Sequence, residues 1–341
     1  MSIIYRLIKE KKIEKTPVWM MRQAGRYLPE YMKIRNSSKN FLEMCYSPEL
    51  ASEITLQPIR RFDFDIAVIF SDILLIPQAL GTDLDFVRDK GPVLTKTDLS
   101  TEEGIKKLSA DNVLKKLSPV YEAISLTRKR LDKEKDLVGF VGAPWTLFSY
   151  MIEGSGSKNF ELANLALVRE PKNSKALFEI LTEAVSKHLV AQIEAGATVV
   201  QIFDSWSGEI STDKYDEFVI EPTRKIVEYV KSKHKDIPII GFPRGSNFKY
   251  EKYAEKTGVD ILGIDQEVPL EWAKERLSDK VVLQGNLNPF VLLEGGDRMR
   301  EETEKILRSF GEGSFIFNLG RGILKYTPIE NVEKMIKIIR G

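Results

Sequence analysis

Cysteine and histidine are almost missing from this chain. Among 341 residues there is one cysteine, Cys45, and two histidines, His188 and His234. A lone cysteine excludes an internal disulfide, and a reducing, cytoplasmic setting is expected. A zinc site made of several cysteines is excluded, so a metal centre would need mostly carboxylates. Long apolar runs are lacking as well. None approaches the roughly 20 residues that span a bilayer, so no membrane span is expected. The opening MSIIYRLIKEKKIEK has no long apolar core and no small-residue cleavage site, so no signal peptide is expected either. Nor does one sign of charge dominate. Lys+Arg is 51 and Asp+Glu is 50, a net charge of +1. That balance argues against a general nucleic-acid binder, and an anionic ligand would need positive charge concentrated at its site. Low-complexity tracts and linkers rich in Pro, Gly or Ser are absent, so 1–341 is expected to be a single domain.

What is present is a recurring short apolar run that ends at a polar or Gly/Pro-bearing stretch. The runs are VWMM (18–21), IAVIF (66–70), LVGFVG (137–142), TVVQIF (198–203), PIIGF (238–242), DILGI (260–264), KVVLQG (280–285) and SFIFN (314–318). They are continuous rather than alternating, as strands buried on both faces should be. Most gaps between them hold helical patterns. Ser47-Pro48-Glu49 reads as an N-cap with proline at the first helical position. Residues 175–195, 269–277 and 298–310 repeat at helical spacing, and Thr327-Pro328 opens a last amphipathic helix. Eight buried strands alternating with helices predict an α/β fold of the (β/α)8 TIM-barrel kind. A doubly wound open sheet is the competing layout, but RQAGRY lacks the glycine-rich turn of a dinucleotide site. In a barrel the chemistry gathers at the carboxyl ends of the strands. Those ends carry Arg22, Ser71-Asp72, Pro144-Trp145, Asp204-Ser205, Arg244, Asp265, Asn286 and Arg321.

Arg22 and Arg26 are two rigid forks of donors within five residues, with Gly25 between them, and Arg35 follows. Guanidiniums pair with carboxylates in a bidentate way, so these residues suit a ligand with acidic arms. Surface salt bridges are the ordinary alternative. Asp72 is an isolated carboxylate in the apolar stretch IFSDILLIP, either a helix cap or an acceptor for ligand N–H groups. Trp145, Phe148 and Tyr150 are core residues or the wall of a pocket for a large flat ligand. Ser205 has no histidine beside it, which argues against a Ser/His/Asp nucleophile. Arg321, between two glycines after the last strand run, suits a phosphate about as well as a carboxylate.

In order, MRQAGRYLPEY, ITLQPIRRF, IFSDIL, GAPWTLFSYMIEG, IFDSWSG, GFPRG, GNLNP and FNLGRGI resemble the uroporphyrinogen decarboxylase family from about Thr16 to Pro328. The resemblance implies a single-domain (β/α)8 barrel, a homodimer, and no metal or organic cofactor. It implies a cyclic tetrapyrrole substrate, uroporphyrinogen, whose acetate arms lose CO2 to give coproporphyrinogen. Carried onto this chain, it has Arg22, Gln23, Ala24, Gly25 and Arg26 line the pocket, with Arg22, Arg26 and Arg35 facing carboxylates. Asp72 would accept the pyrrole N–H groups, Tyr150 and Ser205 would each bind an arm, and Phe203 would pack beside the macrocycle. Asp72, Arg22, Arg26 and Tyr150 are the catalytic candidates, with nearby arginines expected to lower the Asp72 pKa. The family usually has histidine where Arg321 stands, and Arg321 is expected to take its place as a donor to an arm. Asn288 stands where aspartate is common, and a turn role survives there. The rival readings are a zinc- and corrinoid-dependent methyltransferase of similar fold, a barrel enzyme acting on a sugar phosphate, and a non-catalytic tetrapyrrole carrier.

Overall fold

The structure, a computed structural model, describes residues 2–87, 91–95, 99, 101–110 and 112–341. Its strands are β1 (Ile66–Val68), β2 (Leu84–Val87), β3 (Gly91–Leu94), β4 (Asp136–Gly142), β5 (Val199–Asp204), β6 (Ile239–Pro243), β7 (Ile261–Gly263), β8 (Val282–Leu287) and β9 (Ile316–Leu319). Seven of them form one parallel sheet in the order β1-β4-β5-β6-β7-β8-β9. Helices fill the crossovers, as parallel neighbours require. The sheet curls. Ile66, Val138, Val199, Ile240, Ile261, Val282 and Ile316, one from each strand, belong to a single buried cluster with Trp19 and Met21. Strands at opposite ends of the order can share a cluster only if the sheet wraps round it. Each such side chain contributes roughly 1.5–3 kcal/mol by leaving water. Ile4 and Leu7 of the helix Ile3–Glu10 join this cluster, and the Ile4 amide donates to Asp136 Oδ2 (3.0 Å) at the start of β4. That helix therefore stops the amino-terminal end of the sheet and leaves the carboxyl ends of the strands open to chemistry.

Seven of the eight expected runs are strands, and VWMM is not. Its one sheet contact is a parallel bridge from Val18 to Phe317. Backbone bonds still reach both neighbours: Phe317 N to Pro17 O (2.8 Å), Trp19 N to Phe317 O (3.3 Å) and Asp65 N to Val18 O (3.2 Å). Side chains intercept the other donors. Val18 N goes to Asp65 Oδ2 (2.8 Å), Met20 N to Gln23 Oε1 (3.1 Å) and Met21 N to Asn318 Oδ1 (3.0 Å). Pro17 has no N–H to give. The segment thus fills the gap between β9 and β1 without forming a regular ladder, and the sheet is a curled, barrel-like one rather than a closed barrel. The antiparallel hairpin β2–β3 was not anticipated.

The helices follow their signals. Ser47 Oγ accepts from Leu50 N (3.4 Å) and Pro48 opens the helix Pro48–Phe62. Pro171–Glu194, Leu270–Leu277, Gly296–Phe310 and Ile329–Arg340 cover the other helical patterns. Among the described residues no helix is long and apolar enough to cross a membrane.

Candidate active site

The turn after the 17–21 segment is built around Gln23. Its Nε2 donates to Ile66 O (3.0 Å), its Oε1 accepts from Met20 N, and its carbonyl accepts from Tyr27 Oη (2.8 Å). Gln23 is buried, and its side chain holds the turn against β1. The left-handed residue is Arg22, at φ 63°. That conformation costs a non-glycine residue roughly 1–2 kcal/mol. The turn throws Arg22 and Arg26 outward, both exposed, while Ala24 and Gly25 are half-buried. A Cβ on Gly25 would lie 3.0 Å from the Arg22 carbonyl, so glycine serves the tight path of the chain. The Arg22 side chain crosses Gly322, where a Cβ would meet its Cδ at 2.6 Å. One glycine beside Arg321 therefore makes room for a second arginine.

Asp72 stands four residues past β1, half-buried, and Oδ1 accepts from Leu74 N (2.9 Å). Arg22 is close enough to favour its anion, yet burial pushes its pKa up to about 6. The expected lowering is overturned, because desolvation outweighs one guanidinium that makes no contact ion pair. Tyr150 lies within reach of the charges of Asp72, Arg22 and Arg244, and burial keeps its phenol protonated. Its ring sits beside Trp206, centroids 6.1 Å apart. Trp145 and Phe148, candidates for the pocket wall, are fully buried core.

Arg35 donates to Tyr31 Oη (3.3 Å), and Tyr31 also feels Arg26. Cys45 is near enough to Asp72 for that carboxylate to oppose its ionisation, and burial pushes the thiol further up. No pattern in the sequence pointed to Cys45 as a neighbour of the site. Phe203 is half-buried at the end of β5, edge-on to Phe140 (5.6 Å) and Phe242 (6.0 Å). Ser205 is half-buried, and its carbonyl accepts from Arg244 Nε (3.1 Å). Arg321 is half-buried with its guanidinium 6.0 Å from the Phe290 ring. Asn288 caps the helix Pro289–Glu294 by accepting from Phe290 N (2.9 Å).

The loops that carry these groups are interlocked. Arg244 N donates to Asp204 O (3.0 Å), and Gly208 N to Arg244 O (3.1 Å). Gly245 N donates to Asp265 Oδ2 (2.7 Å), and Gly320 packs against the Gln266 backbone. Among the described residues, none of Arg22, Arg26, Arg35, Arg244 and Arg321 makes a salt bridge to a carboxylate. These loops thus carry five guanidiniums without a salt bridge among the described residues and one half-buried aspartate, Asp72, within reach of the Arg22 charge, groups suited to a polycarboxylate that also offers N–H groups. The histidines lie elsewhere. His188 is buried against Tyr121 Oη (2.9 Å) with its pKa pushed down to about 3, and His234 faces Glu194 at 4.0 Å. Among the described residues no three His, Cys, Asp or Glu side chains converge to hold a metal.

The family model for uroporphyrinogen decarboxylase matches residues 1–341. A uroporphyrinogen decarboxylase from Brucella anthropi is 47% identical over 338 residues, covering 99% of this chain and 98% of that protein. The one from Brucella canis is 46% identical over the same shares of each. Among solved structures, a methyltransferase from Methanosarcina mazei superposes with a TM-score of 0.79 at 21% identity, covering 99% of this chain and 97% of its own. At that identity the last likeness is one of fold alone.

Proposed function

The chain belongs to the uroporphyrinogen decarboxylase family, and from that footing we propose that it converts uroporphyrinogen III to coproporphyrinogen III by removing four acetate carboxyls as CO2. The observation that carries the reading is Asp72: an aspartate held by one backbone amide, within reach of the charge of Arg22 and near Tyr150. Loss of CO2 leaves an electron pair on the arm's methylene, and something must accept it. The pyrrole can serve once a ring carbon is protonated. The C–CO2 bond then breaks and its electrons neutralise the cationic ring. A proton added at the methylene completes the methyl group, and the ring carbon gives its proton back. One proton is consumed for each CO2 released.

In this scheme the Asp72 anion accepts the pyrrole N–H groups and stabilises the positive charge that develops on the ring. Arg22 and Arg26 grip carboxylate arms, Arg35 and Arg321 hold others, and Ser205 and Phe203 border the macrocycle. Gln23, Ala24 and Gly25 contribute the turn and its backbone. Tyr150, kept protonated by burial, suits donation to an arm better than acid catalysis. The same reading takes 1–341 as one catalytic domain and the sheet as a (β/α)8 barrel. The bonds from 17–19 to both edge strands support the eighth position. It also implies a homodimer in the cytoplasm, working without metal or organic cofactor. The deciding experiment is product analysis with reduced uroporphyrinogen III kept from air. Stepwise appearance of hepta- to tetracarboxylates is expected. Binding with no CO2 released would make the chain a carrier instead.

A further inference from the structure

Arg244 was not singled out as a site residue, yet the structure treats it unlike any surface arginine. Its backbone is tied to the β5 loop in both directions, and Ser207 Oγ also donates to its carbonyl (3.0 Å). Its guanidinium lies 5.0 Å from the Trp206 ring centroid, a cation–π contact that fixes the plane of the fork. Nε is spent on Ser205 O (3.1 Å), which leaves both terminal nitrogens without a partner among the described residues. The carboxylate whose charge favours the Arg244 cation, Asp265, is already used: Oδ2 accepts from Gly245 N (2.7 Å) and Tyr250 Oη (2.8 Å), and Oδ1 from Glu267 N (2.9 Å). The charges that oppose the Arg244 cation are those of Arg321 and Arg22. Asp265 favours the Arg244 cation without bonding it, so the two terminal donors of Arg244 stay open to an incoming anion. A surface arginine such as Arg61 has that anion already, bonded to both oxygens of Glu30 at 2.7 and 2.9 Å.

We propose that Arg244 and Arg321 form a carboxylate subsite beyond Arg22, which grips one arm of the macrocycle that is not reacting. This rests on the reading of the chain as a uroporphyrinogen decarboxylase and adds to it a residue that sets affinity and the orientation of the ring. Asp72 feels Arg22, and Arg244 feels Arg22 and Arg321. Among the described residues neither Arg244 nor Arg321 bonds Asp72, so loss of the pair should weaken binding more than turnover.

The test compares wild type with Arg244→Gln, Arg321→Gln, the double variant and Arg244→Lys. It reads kcat and KM for reduced uroporphyrinogen III, and inhibition by coproporphyrinogen III. Arg244→Gln is expected to raise KM roughly tenfold or more, the loss of a charged hydrogen bond, with kcat within about threefold. The double variant should lose less than the product of the two single losses, because both groups hold the same carboxylate. Arg244→Lys should fall between, keeping charge and losing the fork. If the arm is a propionate, inhibition by coproporphyrinogen weakens in step with KM. If it is an acetate, only the substrate is affected, and both results support the subsite. Unchanged KM in a folded Arg244→Gln overturns it, as do fully multiplicative losses. Should Arg244→Gln melt below assay temperature, an unchanged KM in Arg244→Lys overturns it instead. Wild-type protein that neither turns over nor binds uroporphyrinogen overturns the family reading itself. Normal wild-type turnover beside an indifferent Arg244 removes the subsite alone.

Discussion

Asp72 follows one strand of the curled sheet and Asp204 ends another, and burial raises the pKa of both, but they stand in opposite kinds of place. Asp72 lies past β1 with Arg22 near it, half-buried, its pKa pushed up to about 6. Asp204 ends β5 fully buried, its pKa pushed up to about 7. Thr146 Oγ1 donates to its Oδ1 (2.5 Å), and Oδ2 has no partner among the described residues. The titratable groups that feel its charge are two neutral tyrosines, Tyr215 and Tyr253, which its anion would keep protonated. A bare carboxylate oxygen in that position is costly, so the neutral acid is the stable form. Ser205 and Trp206, both half-buried, are the next residues in the chain. The difference lies in the neighbours: a guanidinium favours the anion at Asp72 and no cation acts on Asp204, which fits the proposed role of Asp72 as a reagent and leaves Asp204 a brace.

Removing the Asp72 charge tests this comparison most severely. Asp72→Asn keeps the shape and the bond from Leu74 N. It should lower kcat by about 10²–10³, the usual cost of losing a preorganised electrostatic partner, with little change in melting temperature. Wild-type rates in that variant would remove Asp72 from the chemistry. Wild-type kcat/KM should itself rise as pH climbs through about 6, where Asp72 becomes the anion. A flat profile across pH 5–7 would mean that ionisation there is irrelevant.

Arg22→Ala should act on both binding and titration. Loss of a guanidinium that contacts a carboxylate arm is expected to raise KM about tenfold or more. Without the cation that favours the Asp72 anion, the rising limb of kcat/KM should also move to higher pH. Arg26→Ala should raise KM and leave that limb where it is, since no charge of Arg26 acts on Asp72. The same limb in wild type and Arg22→Ala would break the link between the two residues.

These outcomes also measure how far the sequence alone could lead. The strand ends were legible because apolar runs stop abruptly at polar residues, and that set Asp72, Ser205, Arg244 and Arg321 just past strands of one sheet. VWMM misled because its composition is that of a strand, while its donors are claimed by Asp65, Gln23 and Asn318, residues up to 297 positions away. Cys45 beside Asp72 had no local signal at all. The sign of the Asp72 shift could not be read either, since it depends on desolvation, which no spacing reports. The hairpin β2–β3 left only the weak alternation of LDFV, with Leu84 buried and Asp85 exposed.

Asp204 should show itself in stability rather than rate. A carboxyl raised on folding binds its proton more tightly in the native state, so stability is greatest at low pH. It is lost as pH rises from the unfolded value near 4 through about 7. The loss is roughly 1.4 kcal/mol for each unit between the two values. Asp204→Asn removes the titration, so its unfolding free energy should fall less than that of wild type between pH 5 and 8. Denaturant melts at the two pH values decide this. An identical fall in both proteins would show that Asp204 is ionised throughout, and the contrast with Asp72 would collapse.

The smallest effect is expected from Arg321→His, which exchanges a permanent cation for one that titrates. Arg321 lies against the Phe290 ring and makes no bond to Asp72 among the described residues, so kcat and its rising limb near pH 6 should stay within about threefold of wild type. Binding is a different matter. An imidazole is cationic below roughly pH 6.5 and neutral above it. Its neighbour Arg244 pushes that midpoint lower. KM in Arg321→His should therefore rise with pH across the range in which wild-type KM is level. If kcat rather than KM acquires the new titration, residue 321 handles a proton during the reaction. The mouth would then hold two reagents, and Arg321 would no longer be simply a grip on an arm.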